Sequence, residues 1–169
     1  MAQKIKSIKD IVSLQVKGAT NVAYKIVADT SRANFDMGEF GKITGSSVAK
    51  DIIEKYLDKE QTLTQEVFGI MCLNRQNFVI GIFQPFAGGI SSTIADVTIL
   101  SAISIGLLAQ NAIVFHNHPS GSIRPSDADR ILTKQIKQAF EPLKITLLDH
   151  IILAPAVNGY YSFADEGLL

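Results

Sequence analysis

The chain has 169 residues, 47% of them hydrophobic, so it is long and apolar enough to bury the core of one domain. Its 16 Lys and Arg residues equal its 16 Asp and Glu residues in number, and this zero net charge argues against a strongly electrostatic nucleic-acid binder. The single cysteine, Cys72, excludes an intrachain disulfide, and its apolar surroundings predict a small core residue.

The first part of the chain predicts strands, a loop and then a helix. Weak alternation over residues 11–28 predicts two strands, and residues 29–41 have the composition of a loop. Ser46 or Ser47 is the expected N-cap of the helix that follows. The apolar residues expected on its inward face are Val48, Ile52, Ile53, Tyr56 and Leu57.

The remaining elements alternate between strands and helices, which predicts an α/β fold with a mixed sheet between helices. The predicted elements are a hairpin of strands 66–73 and 77–84, a loop at Gly88 and Gly89, a helix over 94–110, a strand over 112–117, a helix over 126–140, and strands over 145–154 and 160–163 around an Asn158-Gly159 turn. The second of these helices is expected to bury Ile131, Leu132, Ile136 and Ala139.

The sequence pattern predicts neither a signal peptide nor a membrane-spanning segment. The first residues lack the continuous apolar stretch of a signal peptide. The apolar stretch 94–115 is interrupted by Asp96, Gln110 and Asn111, which favours a buried helix and strand over a membrane span. We therefore expect a cytoplasmic protein without a membrane partner, and the sequence leaves its oligomeric state open.

Three side chains near the middle of the chain have the chemistry of a metal site. His116 and His118 lie two residues apart, and Asp129 follows eleven positions later. Imidazole and carboxylate ligands suit Zn²⁺, and three protein ligands leave a fourth position for water, as in catalytic zinc sites. The pattern therefore predicts one catalytic zinc ion.

The spacing of these residues has a mechanical reason. In an extended segment residues i and i+2 point to the same side, so the two histidines can reach one ion while Asn117 points away. Ser126 is placed to cap a helix with Asp129 in its first turn, facing the histidines. Capping alone would also explain this Ser-x-x-Asp pair.

Taken together, several short motifs resemble the JAMM (MPN-type) metalloproteases, and specifically their RadC-like branch. They are "HNHPSG", "PSDAD", "LLDHIIL", "YYSFADEGLL", "KITGSS" and "CLNRQNFVIG". The resemblance spans residues 42–169 and implies the JAMM/MPN (cytidine-deaminase-like) architecture. Residues 1–41 are then an N-terminal extension with short strands, expected to form one compact unit with that domain.

The resemblance also implies roles for individual residues. Glu66 matches the family's general base, whereas the sequence pattern alone does not choose it over Glu60, Glu54 or Glu39. Ser126 matches a serine expected to donate a hydrogen bond to the oxyanion of the reaction. The implied function is a zinc-dependent hydrolase in which activated water attacks a peptide or isopeptide amide of a protein or peptide substrate.

Two other functions stay open. RadC-like proteins have carried a DNA-repair label, so the chain could act on or near DNA, for example beside mobile elements; its zero net charge does not support this. The chain could also be a binding module that keeps the site without turnover. It departs from the RadC-like pattern where Val97 and Thr98 replace the usual Pro-Arg after Asp96, and the residues before Glu66 show no helix-hairpin-helix pattern.

The third histidine, His150, has three interpretations. It could be a fourth metal ligand, a partner of a ligand, or a packed core residue, and the family motif favours the last two. The neighbouring Asp149 is a candidate for orienting a ligand histidine, because such rings usually donate their second N–H to a carboxylate or carbonyl.

Overall fold

The computed structural model describes residues 41–88 and 95–169. The helices are α1 (Ser46–Tyr56), α2 (Lys59–Thr64), α3 (Val97–Gly106) and α4 (Asp127–Phe140), and a short 3-10 helix covers Pro155–Val157. The strands are β1 (Val67–Leu73), β2 (Val79–Ala87), β3 (Asn111–Asn117), β4 (Thr146–Ala154) and β5 (Gly159–Ser162). The predictions for residues 11–28 and 29–40, and for Gly89, lie outside the described residues. No helix within the described ranges has the length and hydropathy needed to cross a membrane.

The five strands form one sheet in the order β2-β1-β3-β4-β5. The β3–β4 pair is parallel and the other three pairs are antiparallel, so the predicted mixed sheet is confirmed. The predicted hairpin is also confirmed: the Asn74 side chain accepts from the backbone of Gln76 and Phe78, and Asn77 turns the chain at φ 65°. This turn chemistry is typical of Asn, which tolerates the left-handed region.

Helices cover both faces of the sheet, as predicted. One apolar cluster packs α1 against the sheet and includes Ile52, Ile53, Met71, Phe115 and Leu153. The other packs α3 and α4 against the opposite face and includes Phe68, Leu100, Val114, Ile136 and Phe140. Because side chains alternate along a strand, the strands β1 to β4 each contribute to both clusters.

Two expectations about α1 and α4 are corrected. Gly45 is the N-cap of α1, and the hydroxyl of Ser46 instead donates to Asp165, 2.5 Å away. In α4 the inward face runs through Thr133, Ile136 and Phe140, so Ile131, two positions before Thr133, lies on the far side and is 60% exposed. Because Ile131 is apolar it is expected to be buried, but its position in the helical period places it on the outward face.

The short helix α2 was not expected from the sequence. Asp58 caps it by accepting hydrogen bonds from the backbone of Glu60 and Gln61 at 2.9 and 3.2 Å. A six-residue helix with one buried side chain, Thr62, has almost no hydrophobic period to detect. This helix matters for the site because it ends two residues before Glu66, which immediately precedes β1.

Cys72 is buried in β1 as predicted, and burial raises the pKa of its thiol to about 12. At pH 8 roughly one molecule in 10⁴ would then carry the reactive thiolate. We expect a thiol reagent such as Ellman's reagent to leave the folded protein unmodified, and to react fully once urea unfolds it. Rapid stoichiometric labelling of the folded chain would contradict this burial.

Candidate metal centre

The two histidines lie at the C-terminal end of β3: His116 is in the strand, and His118 directly follows it. His116 is paired with Phe68 on one side and Ile152 on the other, so its backbone is held in the middle of the sheet. Its ring is buried and stacks on the ring of Phe68, with centroids 5.7 Å apart. The alternation of the strand turns this ring toward the face covered by α4.

A tight turn after β3 orients the second histidine. The Gly121 N–H donates to the carbonyl of His118 at 3.0 Å, and Gly121 takes a φ of 81° that favours glycine. The turn brings the carbonyl of Ser122 to 2.8 Å from His118 Nδ1. A carbonyl only accepts, so this Nδ1 carries a proton, and Nε2 is the nitrogen of His118 that faces His116 and can bind a metal ion.

The start of α4 supplies the carboxylate. Ser126 is the N-cap, and the predicted capping box is present: the Ser126 hydroxyl accepts from Asp129 N at 3.2 Å, and Asp129 Oδ2 accepts from Ser126 N at 2.7 Å. The Ser126 hydroxyl also donates to Asp129 Oδ2 at 2.6 Å. Burial by itself raises the pKa of Asp129, but hydrogen bonds and attraction from His116, with hydrogen bonds from Ser126, hold it well below its usual range.

The structure brings all three predicted ligands together. His116 Nε2 lies 2.9 Å from His118 Nε2 and 3.2 Å from Asp129 Oδ1, and His118 Nε2 lies 3.7 Å from Asp129 Oδ2. Around a tetrahedral zinc ion with bonds of about 2.0–2.1 Å, ligand atoms lie roughly 3.3 Å apart. The two distances to Asp129 end on different oxygens, and one candidate ligand atom from each of the three residues lies within 4.8 Å of the others, close enough for one ion after small side-chain shifts.

Two of the three side chains are partly open to solvent. The side chain of His116 is 1% exposed, whereas those of His118 and Asp129 are 17% and 13% exposed. One candidate ligand is thus enclosed in the core and the other two are partly buried. A small molecule would approach the cluster from the side of His118 and Asp129.

His150 lies directly behind the cluster. Its Nε2 is 2.8 Å from His116 Nδ1, and its Nδ1 is 2.6 Å from the hydroxyl of Thr133. The ring is fully buried and stacks on Phe163, with centroids 4.8 Å apart. Burial, reinforced by the neighbouring His116, lowers the pKa of His150 well below its usual value, so the ring is neutral. His150 contacts a ligand ring and is not among the three converging side chains.

The expectation that Asp149 orients a ligand histidine is wrong. Its carboxylate accepts from the backbone of His150 and Ala164 and from the hydroxyl of Ser162, at 2.6–3.0 Å. Adjacent residues of a strand point to opposite faces, so Asp149 faces away from the ring that its neighbour presents to the cluster. Its three partners tie β4 to the end of β5 and the turn after it.

Glu66 immediately precedes β1, on the side of the sheet edge where the histidines lie. The ladder between β1 and β3 ends at the pair of Phe68 and His116, so Glu66 and His118 each lie two residues beyond that last pair, at the same end of the two strands. Its carbonyl accepts from Gly88 N at 2.9 Å, which ties this point to the end of β2. Glu66 is half-buried. Glu54 and Glu60 belong to α1 and α2.

Asn117 holds the segment that carries Glu66. Its side chain points away from the histidines, as predicted, and is fully buried. Its amide oxygen accepts from Val67 N at 2.7 Å, and its amide nitrogen donates to the carbonyls of Thr62 and Gln65 at 2.6 and 3.0 Å. One side chain of β3 therefore fixes both the end of α2 and the start of β1.

Sequence reasoning missed Thr133 and the role of Asn117. Thr133 lies one helical turn after Asp129, a spacing that places both on the same face of α4. Asn117 lies between the two histidines on a strand, so it must project to the opposite face.

Asp96, which precedes the two residues where the chain departs from the RadC-like pattern, is the N-cap of α3 and accepts from Thr98 N at 2.7 Å.

Comparison with known proteins agrees with this architecture. Residues 43–168 match the family model of the RadC-like JAB domain. The chain is 38% identical over 154 residues to a UPF0758 protein of Flavobacterium johnsoniae, covering 91% of the chain and 65% of that protein. It is 39% identical over 127 residues to one of Porphyromonas gingivalis (75% of the chain, 54% of that protein) and 30% identical over 168 residues to one of Thermotoga maritima (96% and 72%).

The first two of these relatives are matched over less than two thirds of their own length, so the chain corresponds to one part of them. Their printed names describe no activity. The family match covers most of the chain and includes every residue of the candidate site. The chain therefore belongs to the RadC-like JAB domain family.

Proposed function

We propose that the chain is a zinc-dependent hydrolase that cleaves a peptide or isopeptide amide. The observation that carries the proposal is the convergence of His116, His118 and Asp129, whose candidate ligand atoms lie within 4.8 Å of one another. Two neutral imidazoles and one carboxylate suit zinc, and three protein ligands leave a fourth position for water.

When bound there, zinc would supply a water of pKa near 7 and a Lewis acid for the substrate carbonyl. The chain's own residues would then move the protons. Glu66, at the same end of the strands as His118, would take the proton of the attacking water and deliver it to the leaving amine. This use of one carboxylate as base and then as acid requires no further group.

Ser126 would donate to the oxyanion that forms on the substrate carbonyl. In the structure its hydroxyl donates to Asp129 Oδ2 at 2.6 Å. A hydroxyl has one proton, so this role requires that the bond to Asp129 be given up when substrate binds. The capping box would persist through the bond that Asp129 N donates to Ser126.

Metal content tests the site directly. After incubation with zinc and dialysis, we expect about one zinc ion per chain in the wild type and little in His118→Ala or Asp129→Asn. Asp127→Asn is the matched control, because Asp127 is an exposed carboxylate in the same first turn of α4. A wild type that retains no zinc, or a control that loses as much as Asp129→Asn, would overturn the site.

The alternatives predict different results. A binding module without turnover would retain zinc but show no hydrolysis that depends on Glu66. A protein acting on DNA would show salt-dependent DNA binding and no peptidase activity. The equal numbers of basic and acidic residues make this second outcome the less favoured one.

A further inference from the structure

Behind the candidate zinc ligands, three hydrogen bonds and one further polar contact form a closed ring that joins the sheet to α4. His116 Nδ1 meets His150 Nε2 at 2.8 Å, and His150 Nδ1 meets Thr133 Oγ1 at 2.6 Å. Thr133 Oγ1 then bonds to the carbonyl of Asp129 at 2.6 Å. The ring closes at the front, where Asp129 Oδ1 lies 3.2 Å from His116 Nε2.

The donor and the acceptor of each hydrogen bond can be assigned by starting from the carbonyl of Asp129. The carbonyl of Asp129 only accepts, so the single proton of the Thr133 hydroxyl is donated to it. The Thr133 oxygen must then accept from His150 Nδ1, which leaves the neutral His150 ring with a lone pair on Nε2. That lone pair accepts from His116 Nδ1, so His116 Nε2 is the nitrogen that faces His118 and Asp129 and can bind a metal ion.

We propose that His150 and Thr133 are positioning residues that hold His116 in the tautomer able to bind zinc through Nε2, and that fix this ring relative to the helical turn carrying Asp129. The inference rests on the proposed zinc site. His150 has the role that a carboxylate or carbonyl usually has behind a ligand histidine. A neutral ring there adds no charge to the core.

Aromatic rings pack against His150. Its ring stacks on Phe163 at 4.8 Å and makes an edge contact with Phe68 at 5.5 Å. Phe68 also stacks on His116. Both ring nitrogens of His150 are used in hydrogen bonds, and its apolar surroundings offer no competing polar partner among these rings.

Nuclear magnetic resonance of the ¹⁵N-labelled full chain reads the tautomers directly, because protonated and unprotonated imidazole nitrogens differ in ¹⁵N shift. Before and after zinc is added we expect His116 and His150 each to carry a proton on Nδ1. With zinc bound, His116 Nε2 should be unprotonated. Absence of the His116 Nδ1 proton in either state would overturn the relay.

Zinc affinity, measured by competition with a chelator, provides the second readout. His150→Phe keeps an aromatic ring in contact with Phe163 and Phe68 but removes the acceptor, and we expect about 10–100-fold weaker zinc binding. Thr133→Val should weaken binding in the same direction, and Thr133→Ser, which restores the hydroxyl, should recover it. This pair decides the matter even if His150→Phe fails to fold.

Phe163→Leu is the control for packing. Phe163 contacts the face of the His150 ring and takes no part in the hydrogen-bonded ring. We expect this variant to lose stability while its folded form keeps the zinc affinity of the wild type. Equal zinc affinities for Thr133→Val, Thr133→Ser and the wild type would refute the relay. If the wild type binds no zinc but shows the expected tautomers, the proposed function fails and the positioning of His116 stands.

Discussion

Replacement of Glu66 by glutamine is expected to lower the rate of amide hydrolysis by about 10²–10⁴-fold, the usual contribution of general acid–base catalysis. The amide of glutamine keeps the size of the side chain but has no basic oxygen at neutral pH. Because Glu66 is not among the three converging side chains, zinc content should stay at the wild-type value. The measurement is the initial rate on a panel of fluorogenic peptides and isopeptide-linked substrates, with zinc determined on the same samples.

Glu60→Gln is the matched control. Glu60 is an exposed carboxylate in the first turn of α2, six positions before Glu66, and it should tolerate the change with an unaltered rate. If Glu66→Gln keeps the wild-type rate in an assay to which the wild type responds, the hydrolytic mechanism proposed for this site is wrong. Loss of zinc in Glu66→Gln would instead make Glu66 part of the metal site.

Replacement of Asn117 by alanine is expected to destabilise the protein by about 3 kcal/mol or more. It leaves Val67 N–H and the carbonyls of Thr62 and Gln65 without their partner, and each unsatisfied buried group costs about 1–3 kcal/mol. Asn117→Asp should also destabilise strongly, because a carboxylate cannot donate to two carbonyls. Urea unfolding measures the change in the free energy of unfolding.

The opposite end of the same strand provides the control. Asn111 donates to Asn77 Oδ1 at 2.7 Å and to the carbonyl of Asn74 at 3.3 Å, and it is only partly buried. Asn111→Ala should cost about 1 kcal/mol. An equal cost for the two alanine variants would contradict the role of Asn117. In the folded Asn117 variant, hydrolysis should fall more than zinc affinity, because β1 and β4 still pair with His116 while the start of β1 loosens.

Much of the fold could be predicted from the sequence because the patterns that indicate its elements are local. Strand alternation, the Asn-rich hairpin turn and the capping box of α4 each depend on residues close in sequence. The incorrect predictions also arose from reliance on local patterns. Helix α2 is too short for a period, and Ile131 is an apolar residue that the geometry of α4 turns outward.

The three candidate ligands were also predictable, since two lie on one strand and the third is placed by its own helix cap. The choice of Glu66 over other glutamates came from family resemblance, and its position relative to His118 depends on pairing between β1 and β3. The partners of His150 could not be predicted. They come from α4 and β3, and only the sheet register places that ring behind His116.

By itself, therefore, the sequence determined the secondary structure around the site and the chemical types of its ligands, because both follow from spacing along a strand and at a helix start. Only the tertiary structure decided that Asp149 faces away, that Asn117 holds the segment of Glu66, and that Thr133 and His150 stand behind His116. The physical reason is that hydrogen-bond direction in a buried cluster depends on which donors and acceptors packing brings within 3 Å, and these come from distant parts of the chain.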